Sequence, residues 1–145
     1  MSVYYDCLTG IQTLIRDANI SGIDDSSVVI RKLPWVRGVD VPCVIICPID
    51  DTNKWVNNNE IEIGYGVHIV MVQASNQDLD SYHDTFLYWR DQIIAAIRDD
   101  KLSGVSEIIN VTIEPSGLFL SQAFRRMYDA SALTARCISR ETISV

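Results

Sequence analysis

The stretch from Glu60 to Ser75, "EIEIGYGVHIVMVQAS", constrains the fold more than any other part of the chain. Apolar residues occupy one parity of this stretch and polar residues or glycines the other, which predicts a strand with one buried face. At Val70 and Val72 the second parity also becomes apolar, so we expect the second face to be covered there. Sixteen extended residues reach roughly 50 Å at about 3.3 Å each, although strands usually have about five or six residues.

Composition limits what can surround such a strand. The chain has 145 residues, 48% hydrophobic and 21% charged, which suits a single domain over residues 1–145. By length scaling, a domain of this size is about 35 Å across. The strand is therefore expected to overhang its own domain and to reach a neighbouring subunit.

The net charge of −7 and the amino-terminal sequence exclude several classes of function. Excess acid disfavours nucleic-acid binding that depends on neutralising phosphates. The opening "MSVYYDCLTGIQTLIRDA" lacks the cationic start and unbroken apolar run of a secretory signal, and no segment is apolar enough to cross a membrane. We expect a soluble protein made in the cytoplasm, without a membrane partner.

The other elements follow from periodicity and from helix and strand breakers. Apolar residues at helical spacing predict one helix near Tyr4–Ala18 and a second over Leu79–Ile97. Strands are expected at Val28–Leu33, between Pro42 and Pro48, in "SEIINVTIEPSG" and in "YDASALTARCISRETISV", with "DDTNKWVNNN" as a hairpin connection before the long strand. Since strands run together, we predict an α+β domain, with a mostly antiparallel sheet, two helices on one face and a long protruding β-hairpin.

The four cysteines are expected to be buried, reduced thiols. They lie in predicted helix or strand, without a CxxC pair and without a nearby histidine cluster. A disulfide framework suits short secreted chains, and zinc sites need ligands spaced by turns. Two of them share a face four residues apart in a strand, so a metal site there stays open: the cysteines are Cys7, Cys43, Cys47 and Cys137.

Catalytic and metal-binding motifs are missing from the sequence. His68 falls on the polar face of the long strand and His83 in the second helix, with no nucleophile elbow, zinc-protease motif or phosphate loop. Glycine in "GYG", Gly64 to Gly66, typically marks a bend or a close backbone approach inside a strand. Adjacent acids are expected to solvate turns rather than bind cations: Asp24 and Asp25, Asp50 and Asp51, Asp99 and Asp100. We expect no cofactor and no metal.

Protein contact is the chemistry that the remaining features favour. Trp35 and Trp55 lie in turn-like sequence, where a large ring needs a partner, so at least one should be at an interface. Arg125 and Arg126 are flanked by large apolar side chains, as at many interfaces, although a plain connecting loop explains them equally well. The interface candidates are Asp50, Asp51, Trp55, Glu60, Glu62, Tyr65, Trp35, Phe124, Arg125, Arg126 and Tyr128.

The element order resembles a known family. A first helix, "VVIRKLPW", "VPCVIICP", the long "EIGYGVHIVMV" strand, the helix "YHDTFLYWRDQIIAAI" and a closing "ALTARCISRE" strand are similar to the tail terminator proteins of tailed bacteriophages. The resemblance covers about Tyr4 to Glu141 and consists of layout rather than a signature motif. Head-to-tail adaptor and tail completion proteins share much of that layout.

The resemblance implies a non-enzymatic virion protein of the tail and neck. Such a protein forms a homohexameric ring at the head-proximal end of the tail tube, stops tube growth and joins the tube to a neck or head-completion protein. DNA passes through the ring without specific binding. No family motif transfers individual residues to this chain.

Three alternatives remain open from the sequence. One is an adaptor or neck protein of the head-tail connector. A second is a small enzyme in which His68 or His83 meets a carboxylate in a cleft. A third is a monomeric binding domain that uses the "DDTNKWVNNN" segment.

Overall fold

The fold is an α+β domain with a mostly antiparallel sheet, as the sequence predicts. The computed structural model describes residues 2–32, 41–74, 79–98, 102, 108–115 and 128–142. Its helices are α1 (Val3–Asp17) and α2 (Leu79–Ile97), with a short 3₁₀ turn at Asp25–Ser27. Its strands are β1 (Val28–Ile30), β2 (Cys43–Trp55), β3 (Glu60–Ala74), β4 (Ile108–Pro115) and β5 (Tyr128–Thr142).

The five strands form one sheet in the order β1-β2-β3-β5-β4. β1 runs parallel to β2, and the other neighbours are antiparallel. β3 occupies the centre and pairs with β2 on one edge and with β5 on the other. The central position explains its length, because both neighbours are also long.

Both helices lie on the same face of the sheet. The apolar faces of α1 and α2 pack against those residues of β2, β3, β4 and β5 that point towards the helices, and together they form one apolar core. Helix α1 begins at an N-cap, Ser2, whose hydroxyl accepts a hydrogen bond from the Tyr5 N–H at 3.1 Å. Phe86 and Trp89 of α2 meet edge to face within the core, with ring centroids 5.7 Å apart.

The opposite face of the sheet is also apolar at one end. A second buried cluster consists of Cys43, Ile45, Cys47, Val70, Val72, Ala130 and Ala132. The expectation that the second face of β3 is covered at Val70 and Val72 is confirmed, since both are fully buried. Among the described residues, the strand ends nearer the hairpin turn carry no such cluster.

Two boundaries differ from the sequence prediction. β1 ends at Ile30, and Leu33 lies outside the described residues. β2 does not stop at Pro48 but continues through the predicted connection to Trp55, leaving only residues 56–59 as the turn. A polar segment becomes strand here because β3 is long enough to pair with it.

Candidate interaction site

The hairpin end of the sheet is a three-stranded ribbon, and we call it the distal ribbon. It consists of residues 51–55 of β2, 60–65 of β3 and 137–142 of β5. Its cross-strand sets run from Asp51, Tyr65 and Cys137 out to Trp55, Ile61 and Glu141. Both edges of β3 are paired inside the chain over this whole length. The long strand is expected to overhang its own domain, but at this end it is paired with β2 and β5 of the same chain, so a three-stranded ribbon forms the end of the sheet.

A β-bulge separates the distal ribbon from the rest of β2. Pro48 lies opposite Val67, whereas Asp51 lies opposite Tyr65, so β2 has one residue more than β3 between these pairs. Even-numbered residues of β2 face the helices before the bulge, and odd-numbered residues face them after it. Trp55 thereby shares the helix-bearing face with Ile61 and Ile63.

Tyr4 of helix α1 is bound at this bulge. Its hydroxyl accepts a hydrogen bond from the Ile49 N–H at 3.1 Å and lies 2.9 Å from the Asp50 carbonyl oxygen, and it also contacts the Gly66 carbonyl oxygen. Burial raises the pKa of Tyr4 above its usual value of 10.0. The Tyr4 ring contacts Tyr65, with centroids 5.2 Å apart. One phenol thus bonds backbone groups that the bulge removes from the ladder.

The glycines of "GYG" make room for side chains that cross β3 on the other face. A Cβ on Gly66 would lie 2.7 Å from Asp50 Oδ1 and 2.9 Å from the Asp50 carbonyl oxygen. A Cβ on Gly64 would lie 2.8 Å from Thr52 Oγ1. Over Gly66, Asp50 forms an ion pair with Arg136 of β5, at 3.2 Å. The prediction of a close approach at these glycines is confirmed, and side-chain atoms as well as backbone make it.

The turn at the end of the hairpin is held by its own hydrogen bonds. Asn57 Oδ1 accepts hydrogen bonds from the N–H groups of Asn59 and Glu60, at 2.8 and 3.0 Å. Val56 N–H donates to the Glu60 carbonyl oxygen at 3.0 Å. This arrangement fixes the backbone next to Trp55.

The two faces of the distal ribbon differ: the helix-bearing face carries large apolar side chains beside Asp51 and Glu141, and the opposite face carries a row of three charges. On the helix-bearing face, Trp55 is 63% exposed, and Ile61, Ile63 and Tyr65 are partly exposed beside it. On the opposite face, Lys54, Glu62 and Arg140 lie side by side across the three strands. We call Trp55, Ile61, Ile63 and Tyr65 the apolar strip. Large exposed apolar groups on an ordered backbone are typical of protein contacts.

Six of the sequence candidates meet at this end of the sheet: Asp50, Asp51, Trp55, Glu60, Glu62 and Tyr65. Trp35, Phe124, Arg125 and Arg126 lie outside the described residues. Tyr128 begins β5 opposite Ala74, at the far end of the sheet from the turn. Trp55 is exposed, which confirms the expectation that Trp35 and Trp55 are not both core residues.

Sequence reasoning missed two residues of the site. The sequence pattern places Tyr4 only at the start of the first helix and Arg136 only within the last strand. A phenol at the start of a helical stripe has a polar end that needs a partner. Arg136 follows from the register of β3 and β5, which a single sequence does not give.

His68 lies within the sheet, on the central strand. It lies between Cys47 and Thr134 on the face away from the helices. Among the described residues, no carboxylate is hydrogen-bonded to it. Burial lowers the pKa of His68 below its usual 6.5. The side chain of His83 lies outside the described residues.

The His68 environment predicts a loss of stability in mild acid. The folded state binds its proton less readily than the unfolded chain, so the stabilisation is complete above pH 6.5 and falls as the pH drops through the folded pKa. We expect the urea midpoint to decline more between pH 7.5 and 5 in the wild type than in His68→Gln. Carboxylate titration affects both proteins alike. Parallel pH profiles would contradict the buried neutral imidazole.

All four cysteines are buried free thiols, as predicted. Burial raises the pKa of Cys43 and of Cys47 to about 11 each. Contact with the Cys7 thiol, together with burial, raises the pKa of Cys137. Such thiols stay protonated at neutral pH and react slowly.

The acid pairs do not converge. Asp50 is ion-paired with Arg136, Asp51 lies on the helix-bearing face, and Asp24 and Asp25 flank the start of the 3₁₀ turn. Asp99 and Asp100 lie outside the described residues. Within the described ranges, no three His, Cys, Asp or Glu side chains group as metal ligands. No helix in these ranges has the length and apolarity to span a membrane.

Comparisons with known proteins do not assign a family. The chain matches no protein-family model. It also has no match among curated proteins.

Proposed function

We propose that the protein is a tail terminator of a tailed bacteriophage. Six copies form a ring on the head-proximal end of the tail tube, stop its growth and present a surface to the neck. DNA passes through the ring without specific binding. This assignment comes from the resemblance in element order, and the structure supports it through one feature.

That feature is the apolar strip of the distal ribbon. Trp55 is the most exposed of the large apolar side chains described, and it lies on the exposed outer half of β2. Truncating a buried interface tryptophan typically costs 2 kcal/mol or more of binding energy, roughly a factor of 30. A protein that stays monomeric gains nothing from exposing this strip, whereas a ring buries it in every subunit.

The anchoring of the distal ribbon also suits assembly. Tyr4 fixes its inner end, and Asn57 fixes the turn. A contact surface that is ordered before association loses less conformational entropy on binding. Subunits with such ribbons can therefore assemble without first folding a loop.

Net charge suits the passage of DNA. At −7 per subunit, a ring of six copies repels a polyanion along its channel. Repulsion keeps the wall from retaining DNA. Mixed charges such as Lys54, Glu62 and Arg140 offer no basic stripe that would hold phosphates.

The test is assembly of the Trp55→Asp variant. Because Trp55 is 63% exposed, the substitution should leave the monomer folded. It should raise the concentration needed for half assembly at least about thirtyfold, since a desolvated carboxylate replaces an apolar contact. Mass photometry gives the ring mass, and far-ultraviolet circular dichroism confirms the fold.

Leu87→Asp is the matched control. Leu87 is 45% exposed, but it lies on α2, far along the chain from the distal ribbon. This variant should assemble like the wild type. A wild-type chain that stays a single subunit at all concentrations would overturn the proposal, and so would rings that form normally with Trp55→Asp.

Capping tests the function itself. The ring should bind one end of tail tubes assembled from the major tail protein of the same phage and should stop their elongation. Electron microscopy of tube lengths, with and without the protein, measures this. Unchanged lengths in the presence of bound or free rings would contradict the terminator role.

A further inference from the structure

The outer edge of β2 is open along the distal ribbon. β1 covers only Val44–Ile46, and in the described part of the chain no strand lies beyond β2 from Pro48 onward. Residues 48–55 are all exposed. An unpaired strand edge is a template for another strand unless it is blocked.

Backbone directions show which groups of β2 are unpaired. Before the bulge, the Ile46 carbonyl oxygen points outward and accepts a hydrogen bond from Arg31 N–H. After the bulge, Val56 N–H points inward to Glu60, so even-numbered residues now face β3. The outward residues of the distal ribbon are therefore Asp51, Asn53 and Trp55. Pro48, which has no N–H to donate, occupies an outward position where β1 has ended.

β4 provides the complementary edge at the other side of the sheet. No described strand lies beyond it. The backbone groups of successive residues point alternately to the two sides of a strand, so the direction at Glu60 can be followed through β3 and β5 to β4. The residues of β4 whose backbone groups point to β5 are even-numbered, such as Thr112 opposite Arg136. The outward residues are Val111, Ile113 and Pro115, and Pro115 again has no N–H to donate.

We propose that the open edge of β2 in one copy pairs with the outer edge of β4 in the next copy. The inference rests on the proposed ring and names its contact. It pairs Trp55 with Val111, Asn53 with Ile113 and Asp51 with Pro115, which aligns all the outward residues of both edges. This contact joins two different edges of the same protein and is therefore heterologous. Repeated from copy to copy, it gives a closed ring when the rotations between neighbouring copies add up to a full turn.

Strand direction, facing and charge agree with this pairing. β4 runs antiparallel to β2, because each of the three ladders between them, β2–β3, β3–β5 and β5–β4, reverses the strand direction. Trp55 and Val111 both lie on the helix-bearing face, so all helices stay on one side of the joined sheet. On the other face Lys54 pairs with Thr112 and lies diagonal to Glu114, an opposite charge.

The stagger also agrees with a closed barrel. From Asp51 the ladder leads through Tyr65 and Cys137 to Val111, and the new pairing then leads to Trp55 of the next copy. The path thus starts at residue 51 of β2 in one copy and arrives at residue 55 of β2 in the next. This shift of four residues over four strands is a shear of one residue per strand. The same ratio in an eight-stranded barrel of shear eight gives a strand tilt of about 36°. This value lies within the usual range of strand tilts in closed barrels, about 35° to 45°.

Engineered disulfides test the register. Lys54→Cys and Thr112→Cys change exposed residues that would face each other as a non-hydrogen-bonded pair, about 4.5 Å apart between Cα atoms. Within one chain the two edges are about 14 Å apart, too far for a disulfide. The four native thiols are buried.

Under mild oxidation, the double variant should give a reducible ladder of covalent species that ends at the ring size. Each single variant alone should give none, and an equal mixture of the two should give only dimers. Dimers from Lys54→Cys alone would overturn the proposal, because they indicate a symmetric contact of two β2 edges. A ring mass without a ladder would overturn this inference and leave the ring intact. A single-subunit mass would overturn both.

Asn53→Pro provides a second test without cysteines. In the separate subunit the Asn53 N–H points away from β3, so its removal should leave the monomer as stable as the wild type. In the ring it should remove a hydrogen bond and raise the concentration for half assembly about tenfold or more. Unchanged assembly would contradict the edge pairing.

Discussion

Phe86→Ala should lower the free energy of unfolding by about 3 to 5 kcal/mol, the usual cost of truncating a buried phenylalanine. Phe86 is fully buried, at the centre of the face where α2 lies on the sheet. Truncation removes its edge-to-face contact with Trp89 and leaves a cavity that the surrounding strands fill only in part. Urea titration of the monomer measures the change.

Leu87→Ala provides the comparison in the next residue of the same helix. Leu87 is 45% exposed, so its truncation should cost within about 1 kcal/mol. Equal losses for the two variants would mean that α2 presents a different face to the sheet.

Gly66→Ala should destabilise the protein by about 1 to 3 kcal/mol, as overpacking usually does. The added Cβ would lie 2.9 Å from the Asp50 carbonyl oxygen, which belongs to the backbone of the bulge and cannot rotate away. It would also come within 3.1 Å of Arg136 Nη1 and disturb the Asp50–Arg136 ion pair. The same urea titration measures the loss.

Gly10→Ala should act in the opposite direction. Gly10 lies inside α1, and its added Cβ would make only ordinary contacts at 3.4 Å with the Leu102 side chain. Alanine in a helix interior is favoured over glycine by about 0.5 to 1 kcal/mol. A stabilised Gly66→Ala, or equal effects of the two substitutions, would contradict the close approach at the bulge.

The elements with strong periodicity were predictable. α2 occupies Leu79–Ile97 as predicted, and β3 begins at Glu60 and ends one residue before the expected Ser75. In both, burial of one face imposes a repeat on the sequence. β5 shows the same repeat, since Leu133, Ala135 and Cys137 are buried and their neighbours Thr134, Arg136 and Ile138 are partly exposed.

The outer half of β2 was not predictable. Residues 50–55 are exposed on both faces, so no apolar alternation marks them as strand, and Asp and Asn favour turns locally. Pairing with β3 overrides that preference. The bulge then shifts the parity, which no local pattern in "PIDDTN" shows.

The candidate site was predictable only in part. Exposed Trp55 and its acidic neighbours could be chosen because they stand out from a turn-like sequence. The bond of Tyr4 to the bulge, 45 residues away in sequence from Ile49, depends on tertiary structure alone.

The bulge also means that β2 has two possible threadings against β3. If the strand ran straight from the Pro48–Val67 pair, Trp55 would move opposite Glu60, and every residue of the distal ribbon in β2 would turn to the other face. Composition and strand length would be unchanged, yet the surface shown to a partner would be inverted. In the bulged threading that the structure shows, the Tyr4 hydroxyl bonds Ile49 and Asp50. These bonds from the first helix therefore stabilise the threading in which Trp55 lies on the helix-bearing face.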